Sequence, residues 1–283
     1  MSGTTLDTNV ETWSGKSRRD ENFPVGSRLL GSHVRPHMHA YYAFARNADD
    51  IADSPTLQPE DKVARLDVME EVLLGTRRQG SPSASKLRLS LIETGVSPVH
   101  ATDLLIAFRQ DATRNRYQTF DELYHYCRYS AVPVGRYVLD LHGESHGCYS
   151  ASDALCTALQ LLNHLQDCGD DLRELDRCYV PVSLMRHFGV DANDLLRRSE
   201  SPGLRRVFIT ILDRIDRLTL AAEELPYVVR DRRLRAETTV ICALAIRLAN
   251  RLAKNDLLAA RLKLSKIDSA MSLLGGIKAY LWR

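Results

Sequence analysis

Apolar residues recur at helical spacing along almost the whole 283-residue chain, most plainly at Leu204, Val207, Phe208, Ile211, Leu212, Ile215 and Leu218. Residues so spaced share one face of an α-helix, and that stripe is buried only by packing on other helices. Alternating strand patterns are hard to find. The periodicity predicts an all-α helical bundle, with helices over about residues 33–53, 60–77, 84–95, 98–114, 119–142, 151–174, 201–223, 233–259 and 266–281. The breaks at Gly75–Ser85, His142–Ser152 and Tyr179–Ser183 are rich in Gly, Pro or Ser and too short to link domains. No repeat of fixed period interrupts this pattern. The expectation is a flexible stretch over residues 1–20 and one all-α domain over residues 21–283.

Charge and composition exclude several classes of function. Lys and Arg number 38 against 36 Asp and Glu, a net charge of +2 that gives no basic field for nucleic acid. A chain that is 44% hydrophobic is not globally disordered. The central charge-free stretch, Ala154 to Gln166, falls short of the ~20 apolar residues of a membrane span and contains Asn163 and His164. Six cysteines without a Cys-x-x-Cys pair, behind a polar opening from Met1 to Asp20, predict free thiols in the cytoplasm.

The carboxylates carry the chemistry. Asp49 and Asp53 stand four apart on one expected helix, Asp167 and Asp171 on another, and Asn163 lies one turn before Asp167. A chain with 23 aspartates makes such pairs as often by chance, so the argument rests on their surroundings. Tyr41 to Ala45 precedes the first pair, and Leu159, Leu162 and Leu165 flank the second. Like charges one turn apart repel, and burial without a partner costs more; a divalent cation removes that cost. Hard oxygen ligands suit Mg²⁺, which keeps waters and bridges carboxylates to substrate phosphates. The expected substrate is therefore a phosphate ester; a diphosphate would need metal ions to bridge it to the carboxylates, with Arg46, one turn before Asp49, neutralising remaining charge. Metal-assisted departure of diphosphate leaves a carbocation, which needs an apolar cavity with aromatic faces. Phe23, Tyr42, Tyr126 and Tyr129 are candidates to line it.

These motifs resemble those of the squalene/phytoene synthases. The likeness rests on Asp49-Asp50-Ile51-Ala52-Asp53 and on the run from Asn163 to Asp171, closed by Arg177-Cys178-Tyr179-Val180-Pro181. It is specific over Asn22 to about Pro181 and extends further only as helical pattern. Glu21 to Ser27, Tyr126 to Gly135 and Asn163 to Cys168 resemble the bacterial hydroxysqualene-forming branch that feeds hopanoid synthesis. The resemblance implies an isoprenoid (class I terpene) synthase fold with a central cavity. It also implies Mg²⁺-dependent ionisation of presqualene diphosphate, rearrangement and water capture to give hydroxysqualene, without NADPH. By position in the motifs, Asp49, Asp53, Asn163, Asp167 and Asp171 are the expected magnesium ligands, and Arg46 and Arg177 face the diphosphate. Tyr42, Gln160 and Tyr126 fall on active-site positions, Tyr126 among the catalytic ones, while Phe23 and Ser27 fall on a substrate-covering segment.

Two departures point to a specialised pocket. Gln166 stands where phytoene and squalene synthases carry Arg, and is the expected substrate contact there; Val132-Pro133 replaces their Ala-Gly step. One alternative is a head-to-head condensing enzyme making presqualene diphosphate or phytoene. Another is a non-catalytic assembly protein of the same fold, against which all four motif aspartates stand. His33, His37 and His39 read as surface or capping groups, and His142-Gly143-Glu144-Ser145-His146 lacks the spacing of a helical metal site. The run Arg230 to Arg235 is a candidate for peripheral contact with the inner membrane face, from which product would pass to other enzymes of the squalene pathway.

Overall fold

The computed structural model describes residues 9–11, 30–262, 264 and 266–281. Phe23, Ser27 and most of the first twenty residues lie outside the described residues. Every regular element among those described is helical, and the one extended pairing is an isolated bridge between Arg116 and Cys178. Packing divides the chain into two compact units, residues 1–114 and 115–283.

The first unit holds four helices, α1 (Arg35–Ala52), α2 (Pro59–Leu74), α3 (Pro82–Thr94) and α4 (Val99–Thr113). Phe44, Ala48 and Ile51 of α1 meet a core that includes Leu66, Met69, Leu87 and Leu104, all essentially inaccessible. Pro82 opens α3 behind the Ser81 hydroxyl, which accepts the Ala84 N–H at 3.2 Å. Gly75 and Gly95 close α2 and α3 with φ of 81° and 71°, a left-handed conformation that suits glycine. The Tyr41 hydroxyl donates to the His100 carbonyl at 3.0 Å and fixes the rotation of α1 on α4. Val10 is buried, and its N–H donates to the Gly80 carbonyl at 2.8 Å.

The second unit is built around α7 (Tyr149–Leu175), which packs on α5 (Phe120–Ser130), α6 (Val132–Leu141), α9 (Pro202–Ala222) and α11 (Arg232–Lys254). The stripe expected from Leu204 to Ile215 is the buried face of α9. The helix expected over 119–142 is two helices. Ala131, at φ −123° and ψ −45°, breaks the path, and Pro133 sits in the first turn of α6, where its missing N–H costs nothing. Gly135 then lets α6 approach α7, because a Cβ there would collide with Ser152 Oγ and with Cys156 Sγ at 2.6 Å. The helix expected to run to residue 259 stops at Lys254, since the Asp256 carboxylate accepts the N–H groups of Leu258 and Ala259 and turns the chain. Two short helices, α8 (Val182–His187) and α10 (Leu225–Val228), had no periodic signature. The chain ends in α12 (Lys266–Leu281), packed on α11. All six cysteines are free thiols.

Candidate active site

In the first unit, Tyr42, Arg46, Asp49 and Asp53 succeed one another at i, i+4, i+7 and i+11, one stripe along α1 ending at its C-cap. The Arg46 guanidinium donates to Asp50 Oδ1 from Nη2 at 2.7 Å and from Nε at 3.0 Å, and lies 3.2 Å from Asp49 Oδ2. Asp50 is buried, whereas 34% of the Asp49 side chain is accessible. The protein around the Asp49 carboxyl desolvates it in part. That desolvation, reinforced by the Asp53 carboxylate one turn on and by Asp111 and Asp50, outweighs Arg46 and pushes Asp49 up to about 8. Asp111 is the acid that sequence reasoning missed. It is buried on α4, seven residues after Leu104 and four after Ala107, and a carboxylate on such an apolar stripe is the signal that could have found it.

In the second unit, Gln160, His164, Asp167 and Asp171 repeat the i, i+4, i+7, i+11 spacing along α7, with Asn163 beside them. Asp167 pairs with Arg261, whose Nη2 lies 2.8 Å from Oδ1 and 3.0 Å from Oδ2. Arg261 has no part in the motifs, and nothing in its local sequence marks it. Next to Gln166, where a cation was expected to be missing, Asp167 thus receives one from a residue 94 positions after it. Gln166 itself is buried, and its amide donates to the Leu262 carbonyl at 2.6 Å, tying α7 to the segment that carries Arg261. Asp170 turns to the exposed side and pairs with Arg173 at 2.7 Å. Past α7, Asp176 adopts the left-handed conformation (φ 50°), and the Arg177 N–H donates back to the Asp171 carbonyl at 3.1 Å.

Beside this stripe lies a buried aromatic stack. His164 and Tyr179 lie with ring centroids 3.6 Å apart and planes 19° apart. Tyr126 stands 5.2 Å and Tyr117 5.5 Å from Tyr179, centroid to centroid. The Tyr126 and Tyr179 hydroxyls are 3.3 Å apart, and Arg177 Nη1 donates to Tyr179 Oη at 3.3 Å. Burial, and then the Arg177 charge, push His164 down to about 3, so its imidazole is neutral at physiological pH. Its Nε2 is 3.3 Å from Gln160 Nε2. Tyr117 and His164 were not among the expected site residues, whereas Tyr126 takes its place in the stack. Tyr129 stacks edge-on against His125 instead, 5.2 Å away.

The donors suit a hard divalent cation: carboxylates one turn apart on each helix, a carboxamide on α7, and on α1 a carboxyl whose negative charge desolvation and then neighbouring carboxylates disfavour, a cost that a cation offsets. Within neither unit do three acidic, His or Cys side chains converge into a closed cage among the described residues. An ion that retains waters and takes further oxygens from a substrate needs none.

Residues 16–268 match the family model for squalene/phytoene synthase, and the chain belongs to that family, whose enzymes process prenyl diphosphates and are typically metal-dependent. It is 43% identical to hydroxysqualene synthase of Rhodopseudomonas palustris over 96% of this chain and 93% of that one. With the hydroxysqualene synthase of Zymomonas mobilis it shares 44% identity, over 90% and 86% of the two chains. Its fold is that of the isoprenoid synthases. A squalene synthase from Alicyclobacillus acidocaldarius superposes with a TM-score of 0.72 at 31% identity, covering 81% of this chain and 87% of that one. A dehydrosqualene synthase superposes at 0.75 with 22% identity, over 93% and 92%.

Proposed function

We propose that this chain is a magnesium-dependent enzyme that converts presqualene diphosphate and water into hydroxysqualene and diphosphate. The observation that carries the reading is the pair of carboxylate stripes with the same spacing on α1 and α7, in a chain similar to hydroxysqualene synthases over most of its length. The proposed magnesium ligands are Asp49 and Asp53 on α1 and, on α7, Asn163, Asp167 and Asp171. Magnesium would neutralise the diphosphate and stabilise its charge as the carbon–oxygen bond breaks.

The protein's own groups do the rest. Arg46, Arg177 and Arg261 supply cationic charge to the diphosphate, with Arg261 now paired to Asp167 in the position a bound cation would compete for. The π faces of Tyr126, Tyr179 and Tyr117 suit a cation that must rearrange before capture, and the neutral His164 adds no positive charge beside it. Gln160 and His164 offer hydrogen-bonding groups to the captured water. Its oxygen bonds to the carbocation and its proton leaves; no hydride is transferred, so the balance calls for no NADPH. Tyr42, Gln166, Phe23 and Ser27 complete the proposed substrate contacts. A lipid substrate and a water-insoluble product suit an enzyme at the inner membrane face that hands product to later squalene-pathway enzymes.

Incubation with Mg²⁺ and either presqualene diphosphate or farnesyl diphosphate, with no reductant, tests the reading by mass spectrometry of the lipids. Hydroxysqualene from presqualene diphosphate, abolished by chelator, is expected. Presqualene diphosphate or phytoene made from prenyl diphosphates would move the chain to the condensing branch.

A further inference from the structure

The helix α12 is amphipathic in the reverse of the usual sense. Its small residues face inward: Ser272 and Gly276 are buried, Ser272 Oγ lies 3.3 Å from Arg247 Nη1, and a Cβ on Gly276 would come within 2.6 Å of Val240. Its bulky apolar residues face outward. Met271, Leu274, Ile277 and Leu281 are each 50–66% exposed, on the arc opposite Ser272 and Gly276. Tyr227 of α10, which lines a cleft together with Gly275 and Lys278 of α12, is about as exposed, at 69%. A soluble helix gains stability by hiding such side chains, so a contiguous apolar face of this kind marks a binding surface.

The charges around it say what kind. At the C-terminal end of α12, Arg232 donates from Nε to the Tyr280 carbonyl at 3.0 Å and lies 5.0 Å from the Tyr280 ring centroid. Arg230 and Arg233 are exposed beside it, and Lys278 rises from the apolar arc itself. Of the nearby acids, Asp231 caps α11, accepting the N–H groups of Arg233 and Leu234, and the buried Glu144 accepts the N–H groups of Arg230 and Asp231, while Glu224 and Glu223, the latter on the cleft wall, are exposed. A cleft of about 590 Å³ runs between α10, α11 and α12, with Tyr227, Cys242 and Ile246 on its walls and Arg235 and Lys278 among its cations. An apolar helix face rimmed by arginines, beside a cleft with basic residues, matches an anionic bilayer: side chains enter the acyl boundary and guanidinium groups meet lipid phosphates.

We propose that the outward face of α12, with Tyr227 and the arginines Arg230, Arg232 and Arg233, docks the enzyme on an anionic lipid surface. The choice of lipid over a protein partner rests in part on the reading of the substrate as a prenyl lipid, but the test does not. The purified full chain is floated with phosphatidylcholine vesicles, with and without phosphatidylglycerol, in the absence of substrate. Binding is expected to the anionic vesicles and to weaken with salt. The double substitution Leu274→Ser and Ile277→Ser should lower the bound fraction by about ten-fold or more. Arg230→Glu with Arg233→Glu should abolish the preference for anionic lipid. Both pairs of residues are exposed and belong to neither motif, so helix content and turnover of detergent-dispersed substrate should stay unchanged. Failure of the wild-type chain to float, or flotation untouched by the α12 substitutions, would overturn the proposal. So would a concentration-dependent dimer that the same α12 substitutions dissolve, because the face would then belong to a second copy. Turnover of dispersed substrate, read alongside, separates failure of the docking from failure of the proposed activity.

Discussion

The two motif helices carry the same stripe and balance its charge in different ways. On α1 the compensation is local: Arg46, Asp49 and Asp50 lie within five residues, and the cation is one turn from both acids. On α7 it is long-range: Asp167 depends on Arg261, from a segment that the Gln166 amide holds in place. Local compensation is built with the helix. Long-range compensation needs the tertiary fold, and an exposed guanidinium on an irregular segment is the easier of the two to release to a substrate.

If both stripes hold metal, they should be equally indispensable. Asp53→Asn and Asp171→Asn are each expected to lower kcat by about 10³-fold or more without loss of helix content, as read by turnover and circular dichroism. Turnover retained in either variant would remove that helix from the metal site. The arginines should separate where the aspartates do not. Arg46→Gln leaves the buried Asp50 without its cation and should destabilise the fold by about 3 kcal/mol or more in denaturant titration. Arg261→Gln removes a pair with 43% and 29% of its two side chains exposed; it should cost under about 1 kcal/mol of stability while lowering kcat/KM by about ten-fold or more. Equal losses of stability would break the distinction between local and long-range compensation.

The helices should also respond to pH with opposite sign. The Asp49 carboxyl binds its proton more tightly folded than unfolded, so in chelator its contribution is complete below about 4 and fades as pH rises toward 8. Added Mg²⁺ or Asp49→Asn should remove that slope. The His164 imidazole is held neutral, so its contribution is complete above about 6.5 and fades as pH falls toward 3. His164→Gln should flatten this acid limb, read as the denaturation midpoint against pH. The smallest effect on turnover is expected of Gly135→Ala, which should leave kcat little changed while costing about 1–3 kcal/mol of stability from crowding α6 against Ser152 and Cys156 on α7.

What could be read in the sequence follows the same division. Helical faces at fixed spacing, such as Leu204 to Ile215 and Asp49 to Asp53, depend on one period and were legible. The break at Ala131 was signalled by Pro133 but not placed, since proline is equally at home in the first turn of a new helix. The early end of α11 depends on which N–H groups the Asp256 carboxylate reaches, and that is a matter of geometry. Arg261 meets Asp167 and Tyr117 meets Tyr179 only through folding, and no spacing rule connects residue 117 to 179 or residue 167 to 261. Asp111 lay between these cases, for its apolar stripe was visible and its acidic neighbours were not.

The most direct measurement is a single turnover of presqualene diphosphate in heavy-oxygen water with Mg²⁺, following diphosphate release and the isotope content of the lipid product together. The account predicts one labelled hydroxyl per diphosphate released, and neither product when chelator is present or when Asp49 or Asp167 is replaced by Asn. Diphosphate released without metal, or a lipid product that carries no labelled oxygen, would contradict it.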